Sequence, residues 1–201
     1  GGHREKSIQP FEGNPLYRPL TVSAVKLMIY RCIDLAVGQG YNCFISGLAT
    51  GTDLWAAEYV MKKKLSGKKL SLIGAFPYLR HAERFPQDYK IILRDVEKCA
   101  DCLVTVSDSP NITYGKGSGN VSQSLYRDRN YFMVDNSSAV IAFFNSSEFK
   151  SGTYQTLSYA ERNGKSICRF GLGDIFRLMS GTEPDMRKIA RKIASIEGFP
   201  D

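Results

Sequence analysis

Short apolar runs alternate with longer amphipathic segments along most of this chain. The first long segment, residues 20–37, repeats apolar residues at the spacing of one helical face, and this pattern predicts a helix. The sequence GQG follows it at residues 38–40, where glycine commonly ends a helix. The apolar positions of this face are Val22, Val25, Leu27, Ile29, Ile33 and Ala36.

The same pattern predicts five strands and five further helices. The predicted strands are NCFIS (42–46), LSLIGAF (70–76), CLVTV (102–106), SAVIAFF (138–144) and SICRF (166–170). The further helices are predicted at 53–65, 81–99, 122–136, 152–164 and 184–197. Apolar runs of this kind are typical of strands buried on both faces. Strands that alternate with helices indicate an α/β fold: a three-layer sandwich with a mostly parallel, twisted sheet and helices on both faces.

The organisation predicted for the chain is one domain over residues 1–201, with a C-terminal helix in 183–201, because no repeat or break in composition divides it. The polar start GGHREKSIQPFEG does not resemble a secretory signal, and no apolar run approaches the ~18 residues of a membrane span. We therefore expect a cytoplasmic protein without membrane association. The five scattered cysteines fit free thiols in a reducing compartment.

The pair Cys99 and Cys102 forms a single C-x-x-C. A zinc site needs a second pair or paired histidines, and the chain has two histidines in all. We therefore expect core cysteines and no metal site.

A net charge of +7 favours anionic partners. The basic clusters at 62–69 and 187–192 lack the interleaved aromatic residues of a single-strand binding groove. The charge therefore favours a nucleotide-type ligand, and the lack of aromatic residues makes nucleic acid the less favoured partner. The sequence does not decide whether the chain forms a homo-oligomer.

Two junctions between a strand and a helix share one design. The first is SGLATGTD at residues 46–53, and the second brings Ser151, Gly152 and Thr153 to the start of a helix. Glycine permits close approach of a ligand, and the first N–H groups of a helix attract a phosphate. The carboxyl ends of parallel strands meet at one edge of the sheet. The two loops together therefore predict a phosphate-bearing ligand held between them. The loop at 107–120 is long for a compact domain and is predicted to be functional or mobile.

Three segments in order resemble the SLOG superfamily of Rossmann-like domains, and most closely its YpsA-like group. They are SGLATGTDLWAAE, DRNYFMVDNSSAVIAFF and SGTYQTLSYAERNGKSI, and GHRE at residues 2–5 matches the GHR motif of that group. The resemblance covers residues 2–170, and the same order of motifs is similar to the DNA-processing protein DprA. In the family a strand, usually central in the sheet, precedes the GHR motif. Here the sequence starts at the motif, so the sequence leaves the strand order open.

The resemblance implies a nucleotide-type ligand such as ADP-ribose, an NAD-derived compound or a nucleoside phosphate, with no cofactor assigned. It places the ligand on four segments: the GHR motif, the glycine loop after the strand at 42–46, the helix that carries the DRN sequence at 128–130 (the DRN helix), and the loop at 151–153. The implied ligand-binding residues are Gly2, His3, Arg4, Ser46, Gly47, Gly51, Thr52, Asp53, Arg129, Asn130, Gly152 and Thr153.

Whether the protein is an enzyme stays open on the sequence. The LONELY GUY phosphoribohydrolases, another SLOG branch, carry PGG-x-GT-x-x-E, but here the glutamate position is Thr156 and no PGG precedes it. Asp53 and Glu58 are the candidate carboxylates for another N-glycosidic cleavage, although each equally fits a structural role as a helix cap or a lysine partner. The interpretation is a nucleotide-binding or nucleotide-sensing protein, with N-glycosidic nucleotide hydrolysis or DprA-like binding of single-stranded DNA as alternatives.

The side chains of Trp55 and His81 each allow a structural and a functional interpretation. Trp55 is predicted to pack in the core, with stacking on a base as the alternative. His81 is predicted to be structural or exposed.

Overall fold

The computed structural model describes residues 5–107, 123–145, 151–181 and 185–198. The described helices are α1 Arg18–Gly38, α2 Thr52–Leu65, α3 Gln87–Cys99, α4 Gln123–Asp135, α5 Gly152–Arg162, α6 Leu172–Met179 and α7 Met186–Ala194. The described strands are β1 Cys43–Ser46, β2 Ser71–Tyr78, β3 Cys102–Ser107, β4 Ala139–Phe143 and β5 Ser166–Phe170. The predicted loop residues Gly2, His3 and Arg4, and most of the 107–120 loop, lie outside these ranges.

All strand pairs in the described part of the chain are parallel. The order is β1–β2–β3 in one set and β4–β5 in the other. Helix α2 packs on β1 and β2, whereas α5 packs on β4 and β5. Because crossovers between parallel strands are right-handed, connections that run in opposite directions along a sheet lie on opposite faces. The α/β sandwich with a parallel sheet and flanking helices is confirmed.

The core lies between the sheet and helices α1 and α2. Leu54 and Leu72 have no exposed surface, and Trp55, Phe143 and Phe170 are almost completely buried. Removing a large apolar side chain of this kind from water stabilises the fold by about 1.5–3 kcal/mol. These side chains fix the start of α2 firmly against the sheet, and the first candidate loop lies directly before α2.

A cavity of about 190 Å³ separates β1 from β4. The edges of these two strands line it, together with apolar side chains of α1, α2 and α4. Within the described part of the chain, the two sets of strands are therefore not paired with each other across this cavity. The residues that line it from the two strands include Cys43, Phe44, Ile45, Ala139, Val140 and Ile141.

Two sequence predictions are corrected, and one helix was not predicted. Helix α3 begins at Gln87 rather than at residue 81, because Pro86 has the extended backbone of an N-cap and has no N–H to continue a helix. Cys102 is exposed at the start of β3 rather than buried, and Cys99 is half-buried. Helix α6 was not predicted. Its first turn is held by the Asp174 carboxylate, which accepts from the Gly171 N–H at 2.7 Å.

None of the described helices is both long enough and apolar enough to cross a bilayer.

Candidate functional site

The loop between β1 and α2 has an unusual backbone. Gly51 has φ of +95° and ψ of −132°, a region that glycine alone adopts readily. Leu48 has φ of +52°, although its side chain is fully buried. A residue other than glycine in this left-handed region is uncommon and persists where its surroundings hold it. The backbone conformation at position 51 therefore requires a glycine there.

The hydroxyl of Ser46 joins the two ends of this loop. It accepts from the N–H of Leu48 at 3.2 Å and donates to the carbonyl oxygen of Asp53 at 2.9 Å. These bonds place the end of β1 beside the first turn of α2. Ser46 thus has a structural role in shaping the loop.

The N-terminus of α2 is not capped by a side chain, because its N-cap residue is Gly51. In the same turn, Thr52 is 5 % exposed, and its Oγ1 has no hydrogen-bond partner in the described part of the chain. A buried hydroxyl without a partner is destabilising, and such groups are rare in folded proteins. A phosphate at this turn would accept from the hydroxyl and from the first N–H groups of the helix.

Arg129 of α4 reaches the same loop. Its side chain is 4 % exposed, its Nη1 donates to the carbonyl oxygen of Gly47, and its Nε donates to Asn130 Oδ1 at 2.9 Å. Burial lowers the pKa of Arg129, and the negative charge of Asp53 opposes this change. The DRN helix is therefore connected to the glycine loop by a buried guanidinium.

Gly47 lies against both charged groups. A Cβ added at this position would overlap the Arg129 guanidinium and would lie 2.8 Å from Asp53 Oδ2. The absence of a side chain at Gly47 is therefore what lets these two charges approach the loop. Five of the predicted ligand-binding residues come together here: Ser46, Gly47, Thr52, Asp53 and Arg129.

The second predicted loop is built differently. The Oγ of Ser151 caps α5 by accepting from the N–H of Tyr154 at 3.1 Å, and a Cβ added at Gly152 would meet nothing within 4 Å. Thr156 Oγ1 donates to the Gly152 carbonyl at 2.7 Å, and the Thr156 side chain lines the cavity with Gly47, Thr52 and Asp53. Gly152 and Thr153 are not among the lining residues. The start of α2 thus lines the cavity, whereas α5 contributes Thr156 of its second turn and the residues of the second loop do not line it.

His81 was not predicted at this site. It follows β2 by three residues and is 6 % exposed, with its ring centroid 4.9 Å from that of Phe76 and 5.1 Å from that of Phe85. Burial, and then the charge of Arg129, lower the pKa of His81 to about 4. Its Nε2 has no partner in the described part of the chain. The only feature of the sequence that indicated this location is that His81 follows the end of the predicted strand at 70–76.

We expect His81 to make the stability of the protein depend on pH. The unfolded histidine titrates near pH 6.5 and the folded one near 4, so between these values only the unfolded state binds the proton. The stabilisation is complete above pH 6.5, and about 3 kcal/mol of it is lost as the pH falls to 4. Urea unfolding of the wild type and of His81→Asn from pH 7 to 4 measures this difference. Parallel pH profiles would show that His81 does not carry it.

The other candidates have structural partners. Glu58 forms an ion pair with Lys62 at 2.5 Å, in agreement with its structural interpretation. Trp55 is 1 % exposed and lies under Lys26 Nζ at 4.5 Å, so its predicted place in the core is confirmed.

Comparison with known proteins supports one family. The model of the YspA SLOG family (YpsA) matches residues 2–170. The chain is 30% identical over 130 residues to the uncharacterized SPbeta prophage-derived protein YoqJ of Bacillus subtilis strain 168, covering 64% of this chain and 75% of that protein. It is 26% identical over 158 residues to a UPF0398 protein of Macrococcus caseolyticus strain JCSC5402, covering 77% and 80% of the two. The chain therefore belongs to the YspA SLOG family.

Proposed function

We propose that this protein binds a nucleotide or a nucleotide derivative of the ADP-ribose type on the loop between β1 and α2. The observation that carries the proposal is the buried Thr52 hydroxyl, which has no partner in the described residues and lies at a helix N-terminus without a side-chain cap. Membership of a SLOG family suggests a nucleotide-related function, and the site agrees with this.

The proposed phosphate position is the polar end of the cavity. Ser46, Gly47, Thr52 and Asp53 line this end, whereas most of the other lining residues are apolar. The apolar part of the cavity does not suit a charged diphosphate, because an unpaired charge is strongly disfavoured away from water. The ligand therefore lies at the carboxyl edge of the sheet, where ligands of open α/β sheets bind.

Binding without turnover is the favoured form of this function. The residue at the glutamate position of the phosphoribohydrolase pattern, Thr156, uses its hydroxyl in a bond to the Gly152 carbonyl. A hydroxyl cannot provide the negative charge that an oxocarbenium-like transition state needs. Glu58 is paired with Lys62, which leaves Asp53 as the carboxylate at the loop.

We expect a diphosphate to bind more tightly than a monophosphate, because its second phosphate accepts further hydrogen bonds at the loop between β1 and α2. ADP or ADP-ribose should bind at least about tenfold more tightly than AMP, which corresponds to ~1.4 kcal/mol. Thermal unfolding with increasing ADP-ribose, ADP, AMP and a single-stranded oligonucleotide tests this, since a ligand of the folded state raises the melting temperature. Equal effects of AMP and ADP would show that the second phosphate makes no contact at this loop. Submicromolar binding of the oligonucleotide at physiological salt would favour the DprA-like alternative.

A further inference from the structure

The side chain of Leu48 packs the loop between β1 and α2 against strand β2. This side chain is fully buried, and a Cβ added at Gly74 of β2 would lie 2.6 Å from Leu48 Cδ1 and 3.5 Å from its Cγ. Carbon atoms in favourable contact are about 3.5–4.0 Å apart, so a side chain at position 74 would take space that Leu48 occupies. The missing side chain of Gly74 therefore makes the room that Leu48 fills.

The packing of Leu48 is continuous with the turn into α2. Leu48 has φ of +52°, and its N–H donates to Ser46 Oγ at 3.2 Å. The same hydroxyl donates to the carbonyl oxygen of Asp53 at 2.9 Å, in the first turn of α2. A residue other than glycine persists in this backbone region where its surroundings hold it there. The contact with β2 thus holds the left-handed turn, and the Ser46 hydroxyl connects this turn to the start of α2.

We infer that Gly74 is a positioning residue for the candidate site: it gives Leu48 its place, and Leu48 holds residues 47–51 in the conformation that presents Thr52. Neither Gly74 nor Leu48 is among the residues that line the cavity, so their effect on a ligand passes through the loop. The part of this inference that concerns ligand affinity rests on the proposed function, whereas the holding of the loop does not.

Gly74→Ala tests the inference, because the two neighbours of the added methyl group respond differently. The new Cβ would lie 2.7 Å from Leu103 Cδ2, but Leu103 is 45% exposed and can turn towards the solvent. Leu48 has no exposed surface, so its displacement shifts the loop that carries it. We therefore expect alanine at position 74 to loosen the loop.

Amide hydrogen exchange of the free protein measures this loosening. The N–H groups of Leu48, Leu54 and Trp55 report on the loop, because each donates a hydrogen bond within residues 46–55. Their exchange in Gly74→Ala should be about fivefold or more faster than in the wild type, which is the lower end of the effect of extra volume in a packed site. Exchange of the amides in β4 and β5 should be unchanged.

Two double variants separate the displacement of Leu48 from a general effect of alanine in β2. In a Leu48→Ala background the methyl group at position 74 has room, so Gly74→Ala should not accelerate exchange further. In a Leu103→Ala background it should accelerate exchange by the same factor as in the wild type. Equal acceleration in the two backgrounds, or unchanged loop exchange in Gly74→Ala, would overturn the inference. If Gly74→Ala does not fold, Leu48→Ala alone decides, since its loop amides should be accelerated more than those of β4 and β5.

A titration with ADP-ribose tests the consequence for binding. Gly74→Ala should bind this probe about fivefold or more weakly than the wild type, with or without Leu103→Ala. Unchanged affinity in a variant whose loop exchanges faster would overturn the link between Gly74 and the ligand. If the wild type binds no ADP-ribose while the exchange results hold, the proposed function fails and the positioning of the loop by Gly74 stands.

Discussion

Replacing Arg129 by methionine should destabilise the protein by about 1–3 kcal/mol, because the Gly47 carbonyl oxygen loses its buried hydrogen bond to a charged donor. The guanidinium is 4 % exposed, and its removal leaves the Gly47 carbonyl and the half-buried Asp53 without the cation that faces them. Urea unfolding at pH 7 measures the loss.

The matched control is Arg127→Met on the same helix. Arg127 is half-exposed and pairs with its neighbour Asp128 at 2.9 Å. Exposed pairs of this kind contribute about 0–1 kcal/mol, so this variant should unfold close to the wild type. Equal losses in the two variants would mean that Arg129 does not connect α4 to the glycine loop.

A methyl group at Gly47 should destabilise the protein by about 1–3 kcal/mol, as is typical when extra volume is forced into a packed site. The added Cβ overlaps the guanidinium of Arg129, which must move out of the buried position that it occupies. Chemical denaturation of Gly47→Ala gives the magnitude. In the double variant with Arg129→Met the two losses should not add, because they act on one contact.

Gly152→Ala is the control for this substitution. An added Cβ at Gly152 meets nothing within 4 Å, and the residue starts α5. Alanine should therefore stabilise the folded protein by about 0.4–1 kcal/mol, mainly because it restricts the unfolded chain. If Gly47→Ala is as stable as Gly152→Ala, the close approach at Gly47 is not a requirement of the fold.

The sequence predicted the strands and most helices because their patterns are local. The apolar run at 70–76 and the amphipathic repeat at 20–37 correspond to β2 Ser71–Tyr78 and α1 Arg18–Gly38. The error at α3 has a local cause as well, since Pro86 lies within the predicted helix and ends the preceding turn. Where a feature depends on neighbouring residues alone, pattern and structure agree closely.

The candidate site could be predicted only in part, because its contacts join residues that are far apart in the chain. Glycine-loop chemistry indicated Gly47 and Asp53, and the resemblance indicated Arg129. No local pattern shows that Arg129 is buried against Gly47, that Leu48 has φ of +52°, or that His81 is buried after β2. These facts depend on how α4 and the turn after β2 pack at the carboxyl edge of the sheet.

The most direct test of the proposed site is a calorimetric titration of ADP-ribose into the wild type and into Thr52→Val, with the unfolding free energy of both measured in parallel. Valine keeps the shape of threonine and removes a hydroxyl that is buried without a partner in the described structure. The variant should be as stable as the wild type or more stable, because an unsatisfied polar group is lost. It should bind ADP-ribose about tenfold or more weakly, since a hydrogen bond to a charged phosphate contributes about 1.5–3 kcal/mol. Equal affinity of the two proteins, or no binding by the wild type, would contradict a phosphate site on the loop between β1 and α2.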